Sequence, residues 1–409
     1  MTDRQKFVSS LRQEIMRDLA FGDELGDDQI QELISRYLLR KEEALSFSLQ
    51  ERKKIGKEIF YSLRKLDVLQ ELLEDDRVTE IMVNGPSHIF VERGGRVKRL
   101  NAEFESGEKL LQVIQQIVSG CNRTVNESSP IVDARLPGGS RVNVVLYPVA
   151  LNGPILTIRR FSDVPMTLGK LKELGAISEE AIQFLIKAVK ARYNILVSGG
   201  TGSGKTTFLN ALSQYIPADE RVITIEDSAE LQLWSVENLI RMETRNAAME
   251  GGKVITIRDL IKASLRMRPD RIIVGEVRGA EALDMIGSAM NCGHDGSMST
   301  AHANSASDML IRLETMILMG VELPVTAIRR QIASGIDIVV HLGRLRDKSR
   351  KVLEITEVAG MKDDRIILNP LYRFKEMGET KENKIKGGLI HIGQLTNRYK
   401  MENAGISYP

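Results

Sequence analysis

The run Gly199-Gly200-Thr201-Gly202-Ser203-Gly204-Lys205-Thr206 constrains what this chain can fold into more than any other feature. Glycines at these spacings let the backbone turn tightly, so that several N–H groups point inward and cradle phosphate oxygens. Such a loop needs a buried strand before it and a helix after it. Both are legible: Ile195-Leu196-Val197 is a compact apolar run, and Thr207-Phe208-Leu209-Asn210-Ala211-Leu212 has a helical pattern. The helix start adds its partial positive charge to the cradle. Gly199 to Thr207 are therefore the expected nucleotide-binding residues for ATP, with Lys205 on the β- and γ-phosphates and the Thr206 hydroxyl on Mg²⁺.

From about Leu171 the chain alternates helical and strand-like runs, the pattern of a mostly parallel sheet covered on both faces. The strand candidates are Asn194–Ser198, Arg221–Glu226, Arg271–Gly275, Gly296–Ala301 and Ile336–Leu342. Before it, Thr79–Val83, His88–Glu92, Arg141–Tyr147 and Ile155–Phe161 read as strands, punctuated by Asn84-Gly85-Pro86, Pro137-Gly138-Gly139 and Asn152-Gly153-Pro154. A helix carrying Leu110, Leu111, Ile114 and Ile117 on one face lies among them. The expected fold is an N-terminal helical bundle (1–65), with Ile30, Leu33, Ile34 and Leu38 at helical spacing, then an α+β domain (66–161). A linker (162–170), an α/β phosphate-loop domain (171–375) and a weakly patterned Lys- and Gly-rich segment (376–409) follow. That last segment reads as an excursion or a loosely ordered tail.

Composition removes several function classes. A net charge of +2 over 409 residues gives no bulk reason to expect nucleic acid as the main partner. No apolar run approaches the ~18 residues of a membrane span, and the charged start lacks a signal-peptide pattern. The expected location is the cytoplasm, with peripheral membrane contact. Cys121 and Cys292 belong to no CxxC pair and read as two reduced, partly buried thiols rather than a zinc site or disulfide.

Binding a nucleotide is not hydrolysing it. Hydrolysis needs a group to position water and positive charge to stabilise the transferring phosphoryl group. At the end of the strand Arg271-Ile272-Ile273-Val274, Gly275-Glu276 stand where many such proteins carry Asp-Glu. Gly275 cannot bind a metal, so Glu276 is the acid left to orient or deprotonate water. Glu226-Asp227 end another strand on the same expected edge, which lets Glu226 support Mg²⁺ through water. Asp227 reads equally well as a helix cap paired with Glu230. His302, at a strand end, has two readings: a γ-phosphate sensor or a structural histidine. Arg135, Arg141, Arg159 and Arg160 lie near turns of the α+β domain and are either phosphate clamps or surface ion pairs.

Four elements in order, the phosphate loop, Thr224-Ile225-Glu226-Asp227, Gly275-Glu276 and Thr300-Ala301-His302-Ala303-Asn304, resemble the Walker A, Asp box, Walker B and His box of the secretion and pilus ATPases of type II and type IV secretion systems. Glu80–Pro86, Val132–Asn143 and Leu265–Arg271 resemble more closely the CpaF branch, the ATPases of Tad/Flp pilus assembly. The resemblance spans roughly Leu66 to Phe374. It implies a RecA-like phosphate-loop domain, a homo-hexameric ring and ATP in a cleft completed by arginines, with Arg141 and Arg159 as candidates. It also implies docking on inner-membrane platform proteins to move pilin or an exported substrate. The tetracysteine zinc motif of type II secretion and pilus-extension ATPases is absent, since the chain has two cysteines. The competing expectations are a conjugation-type DNA or protein export ATPase and a nucleotide-gated scaffold without turnover.

Overall fold

The computed structural model describes residues 3–19, 25–136, 138–160, 165–245, 254–291, 293–380 and 382–408. The chain divides into two units, Met1–Ser162 and Asp163–Pro409. Pro137, Phe161, the linker residues 162–164 and Cys292, all named above, lie outside the described residues.

The N-terminal unit has two cores. Helices α1 (Asp3–Leu19), α2 (Asp27–Arg40) and α3 (Leu49–Arg64) bury Leu11, Ile15, Ile30, Ile34, Leu38, Ile55 and Ile59 against one another. Helical spacing puts these residues on single faces. Ser48 starts α3 with a reciprocal cap: its side chain accepts from Glu51 N, and Glu51 Oε2 accepts from Ser48 N at 2.8 Å. After α4 (Val68–Glu74) come β1 (Val78–Asn84), β2 (Ile89–Arg93), β3 (Arg96–Arg99), α5 (Gly107–Ser119), β4 (Ile131–Arg135), β5 (Arg141–Val145) and β6 (Ile155–Arg159). The strands form one antiparallel sheet in the order β3-β2-β1-β6-β5-β4. Leu110, Ile114 and Ile117 of α5 pack into the second core as expected, but Leu111 is exposed and Val113 and Val118 take the buried stripe. Gly85, at φ 72°, passes so close to the Asn152 carbonyl that a Cβ there would stand 2.7 Å from it, so these two turns seat on each other.

The second unit opens with α6 (Leu168–Glu173), capped by the Thr167 hydroxyl, which accepts from Lys170 N at 3.1 Å. Next come α7 (Glu179–Lys190), β7 (Ile195–Gly199), α8 (Lys205–Ser213), β8 (Val222–Glu226), β9 (Leu239–Glu243), α9 (Ile257–Ser264) and β10 (Arg271–Val277). Helix α10 (Glu281–Asp284) continues as a π-helical turn over Met285–Met290. Then follow β11 (Met298–Ala301), α11 (Ala306–Leu318), α12 (Val325–Gly335), β12 (Ile338–Arg344), β13 (Arg350–Lys362), β14 (Arg365–Glu379), β15 (Ile385–His391) and α13 (Tyr399–Asn403). Nine strands form one sheet in the order β15-β14-β13-β12-β7-β11-β10-β8-β9. From β12 to β9 every pairing is parallel, and from β12 to β15 every pairing is antiparallel. One face buries Leu185, Ile195, Val197, Phe208, Leu212 and Val340, and the other buries Leu196, Ile223, Ile272, Val274, Leu313 and Ile332. Strands buried on both faces read as continuous apolar runs, which is why these central ones were legible.

The final segment is not a loose tail. Strand β14 runs through position 375 without a break, and Leu389, Leu395 and Met401 enter the same core as Phe208. The buried Glu357 carboxylate accepts from the backbone N–H groups of Thr396 and Asn397, at 2.9 and 2.7 Å, which ties the segment down.

Candidate nucleotide site

Parallel register sets the site. β8, β10, β11, β7 and β12 all end at one sheet edge, where α/β proteins hold ligands. Ala301 pairs with Ser198, which places His302 beside Gly199. Ile225 pairs with Val274, which places Glu226 beside Gly275.

The phosphate loop takes the conformation its glycines allow. Gly202 and Gly204 have φ of 69° and 96°, and Gly204 caps α8 in the left-handed region. At Gly199 the reason is space: a Cβ would stand 2.4 Å from the Leu342 carbonyl oxygen and 2.6 Å from Ser203 Oγ. Gly200, Thr201 and Gly202 are exposed, Ser203 is buried, and Thr206 and Thr207 are half-buried in the first turn of α8. Lys205 is buried and donates to the carbonyls of Gly199 and Gly200 at 3.2 and 3.3 Å. Buried Ser203 Oγ makes no hydrogen bond. A lysine, a helix start and an unsatisfied hydroxyl around one glycine loop are the donors an anionic phosphate satisfies.

Three expected residues meet here. His302 has both ring nitrogens 3.4 Å from Lys205 Nζ, and its Nε2 stands 2.8 Å from Glu276 Oε1. Burial, with the Lys205 charge next, lowers the His302 pKa below the usual histidine value, while Glu276 pulls it the other way. The ring is thus neutral at pH 7. Glu276 Oε2 accepts from Arg278 Nε and Nη2 at 3.0 and 2.6 Å. Arg278 was missed by sequence reasoning; strand period puts it on the same side as Glu276, which is the signal that existed.

Glu226 explains Gly275. A Cβ on Gly275 would stand 2.8 Å from Glu226 Cγ and 3.2 Å from its Oε2. The space that an aspartate at 275 would use is filled by the neighbouring strand's glutamate. Glu226 Oε2 accepts from Glu230 N and Leu231 N at 2.8 and 2.9 Å, whereas its buried Oε1 has no hydrogen bond. The helix-cap reading of Asp227 fails, because residues 227–238 form no helix and Glu226 itself satisfies the N–H groups of that turn. Asp227 Oδ1 instead accepts from the Thr244 hydroxyl at 3.4 Å. Unpaired Glu226 Oε1 and the Thr206 hydroxyl are hard oxygen donors of the kind Mg²⁺ takes, so the residues present fit that ion. Among the described residues no cluster of three or more His, Cys, Asp or Glu is poised to hold a metal by itself.

Burial raises the Glu226 pKa to about 7. A carboxyl whose folded pKa exceeds its unfolded value binds its proton more tightly when folded, so stability falls as pH rises from about 4.5 to 7. Integrated over that window the loss is roughly 3 kcal/mol. Glu226→Gln keeps the shape without the charge. Thermal melts of the nucleotide-free protein should show it level with wild type at pH 5 and several degrees more stable at pH 8. Parallel melting curves across the range would remove the assigned burial penalty.

The expected arginines belong to the N-terminal unit. Arg135, Arg141 and Arg159 stand side by side on β4, β5 and β6, because Arg135 pairs with Arg141 and Arg141 with Arg159. Arg141 Nη2 donates to Asp133 Oδ1 at 3.4 Å, Arg135 Nε to the Gly139 carbonyl at 3.2 Å, and Arg159 is exposed. Arg160 is a structural residue, bonded to the Asp75 carbonyl and to Asp76. Like charges opposite each other repel, and the Asp133 carboxylate paired with Arg141 offsets part of that repulsion. Cys121 is half-buried, and burial raises its thiol pKa.

The model of the type II/IV secretion system protein family matches residues 62–395. The chain belongs to this family. It is 35% identical over 304 residues to the type IV secretion system protein VirB11 of Brucella suis, covering 68% of this chain and 84% of that one. It is 33% identical over 303 residues to the conjugal transfer protein TrbB of Rhizobium radiobacter, covering 73% and 89%. Among solved structures, the pilus retraction motor PilT with bound ADP matches at a TM-score of 0.52 and 19% identity, over 83% of this chain and 86% of that one. The Yersinia pseudotuberculosis ATPase DotB matches at 0.53 and 17%, over 72% and 79%. These likenesses fix the fold as RecA-like.

Two residues of this secretion-family chain that sequence reasoning did not single out also reach the site. Arg350, opposite Arg344 on the β12–β13 hairpin, lies near the loop: a Cβ added to Gly204 would stand 3.7 Å from its Cδ. His341 on β12 touches the strand that feeds the loop, with its Nδ1 2.9 Å from Ser198 Oγ.

Proposed function

We propose that this member of the type II/IV secretion family is an ATP-hydrolysing motor for a Tad/Flp-type pilus. The observation that carries ATP hydrolysis is the contact chain Lys205–His302–Glu276 at one sheet edge. Lys205 and the N–H groups of the loop bind and orient the phosphates. Glu276 positions water or takes its proton, and neutral His302 lies between the lysine and that base, where a change at the γ-phosphate is felt. Mg²⁺, when bound through Thr206 and Glu226, supplies charge neutralisation on the phosphates. Arg141 and Arg159 are the candidates for the remaining positive charge on the transferring phosphoryl group, and turnover within a homo-hexamer drives the movement. Docking on inner-membrane platform proteins then moves pilin. No described helix is long and apolar enough to cross a membrane.

The pilus assignment rests on Glu80–Pro86, Val132–Asn143 and Leu265–Arg271. A second reading, a conjugation-type export ATPase, is favoured by the name and high coverage of the TrbB relative. One experiment separates them. Deleting the gene should abolish surface filaments, and wild type but not Lys205→Ala should restore them; purified protein should hydrolyse ATP without regard to added DNA. Intact filaments in the deletion strain, together with salt-sensitive stimulation by single- or double-stranded DNA, would replace the pilus reading by the conjugation one.

A further inference from the structure

Strand β12 lies directly against β7, with His341 opposite Ser198 and Leu342 opposite Gly199. His341 is buried, and its two sides serve two different elements. Nδ1 is 2.9 Å from Ser198 Oγ, the last side chain before the phosphate loop. The ring also lies beside the backbone of Asn304, two residues beyond His302. With the Ser198 hydroxyl donating to Nδ1, the proton of the neutral ring sits on Nε2. Burial lowers the His341 pKa and keeps that neutral form.

The consequence lies in what the two partners lead to. Ser198 opens the loop that places Lys205, and Asn304 closes the turn that places His302. The Lys205–His302 and His302–Glu276 distances are therefore set by where these two segments stand relative to each other. Gly199 is pressed onto Leu342, which fixes one end of the bracket. On the far side, the Thr300 hydroxyl donates to the Gly275 carbonyl at 2.8 Å, joining β11 to β10 next to Glu276. A residue that only filled the core here would need neither ring nitrogen, and a leucine would serve.

We propose that His341 is a positioning residue for the hydrolytic reaction: it braces the phosphate loop against the His302 turn so that Lys205, His302 and Glu276 are aligned before ATP arrives. The brace rests on the ATPase reading above, and its role is distinct from substrate contact. It acts more on turnover than on nucleotide affinity, because the N–H groups that cradle the phosphates do not depend on it.

The test uses the full-length oligomer and three variants. His341→Leu removes both ring nitrogens at similar volume, His341→Gln can keep a donor and an acceptor, and Ser198→Ala removes the hydroxyl partner. Hydrogen–deuterium exchange across residues 302–306, thermal melting, kcat and KM for ATP are measured for each. The expected result is faster exchange at 302–306 and a kcat lowered about tenfold to a hundredfold in His341→Leu, with KM within about twofold. Gln should restore both, and Ser198→Ala should fall between. Unchanged exchange and kcat in His341→Leu overturn the brace, as does a Gln variant that recovers melting temperature but not kcat. If His341→Leu does not fold, Ser198→Ala with wild-type exchange and kcat overturns it equally. Were wild type itself to turn over no ATP, the motor reading would fall, and exchange at 302–306 alone would decide the brace.

Discussion

Glu276→Gln is expected to bind ATP as wild type does and to lose at least about a hundredfold in phosphate release. Glutamine keeps the carbonyl oxygen that Arg278 holds, at 3.0 and 2.6 Å in wild type, so the strand end should not rearrange. What disappears is the second oxygen's ability to take a proton from water. The backbone cradle, with its left-handed Gly204, does not change with that substitution, so nucleotide titration should be unaltered. His302 sharpens the prediction. Its Nε2 stands 2.8 Å from Glu276 Oε1, and burial keeps it neutral. Two groups that act as one unit are non-additive. His302→Gln added to Glu276→Gln should therefore cost far less than His302→Gln alone. Phosphate release at the wild-type rate from Glu276→Gln would remove Glu276 from the chemistry. Full additivity would separate the histidine from it.

What the sequence disclosed follows the range over which its signals act. The phosphate loop was readable because glycine spacing, strand and helix are contiguous. The central strands were readable because burial on both faces leaves unbroken apolar runs such as Ile195-Leu196-Val197. Strands β13 to β15 were not, for local reasons. Pro370 interrupts β14 at a register shift opposite Thr356, and a proline ordinarily argues against a strand. Gly387-Gly388 in β15 reads as a turn, yet a Cβ on Gly387 would stand 2.5 Å from the Phe374 ring, so the glycine is a packing site. At the site, residues were nameable one at a time while their partnerships were not. Nothing near Gly275 in sequence says that Glu226 fills its space, since only parallel pairing of β8 and β10 brings them together. The same holds for His341 and Ser198, joined across β12 and β7.

Gly275→Asp, the change that would give β10 the acid many related loops carry beside the glutamate, should destabilise the protein by about 3–5 kcal/mol. Its Cβ alone would stand 2.8 Å from Glu226 Cγ, closer than real side chains approach. Relief requires Glu226 to move, and Glu226 is held by the N–H groups of Glu230 and Leu231. The new carboxyl would also lie against one whose pKa burial has already raised to about 7, and like charges there cannot both ionise cheaply. Gly275→Ala isolates the steric part and should cost roughly 1–3 kcal/mol. The double variant is decisive. Glu226→Ala vacates the space, so adding Gly275→Asp to it should cost much less than adding it to wild type, a coupling of about 1–3 kcal/mol in denaturant unfolding. Additivity within about 0.5 kcal/mol would mean that Glu226 is not why position 275 is glycine. Turnover in the double variant tests the functional consequence. If the acid that supports Mg²⁺ can stand on either strand, Gly275→Asp should return activity that Glu226→Ala lost, because the two positions share one space at the same sheet edge.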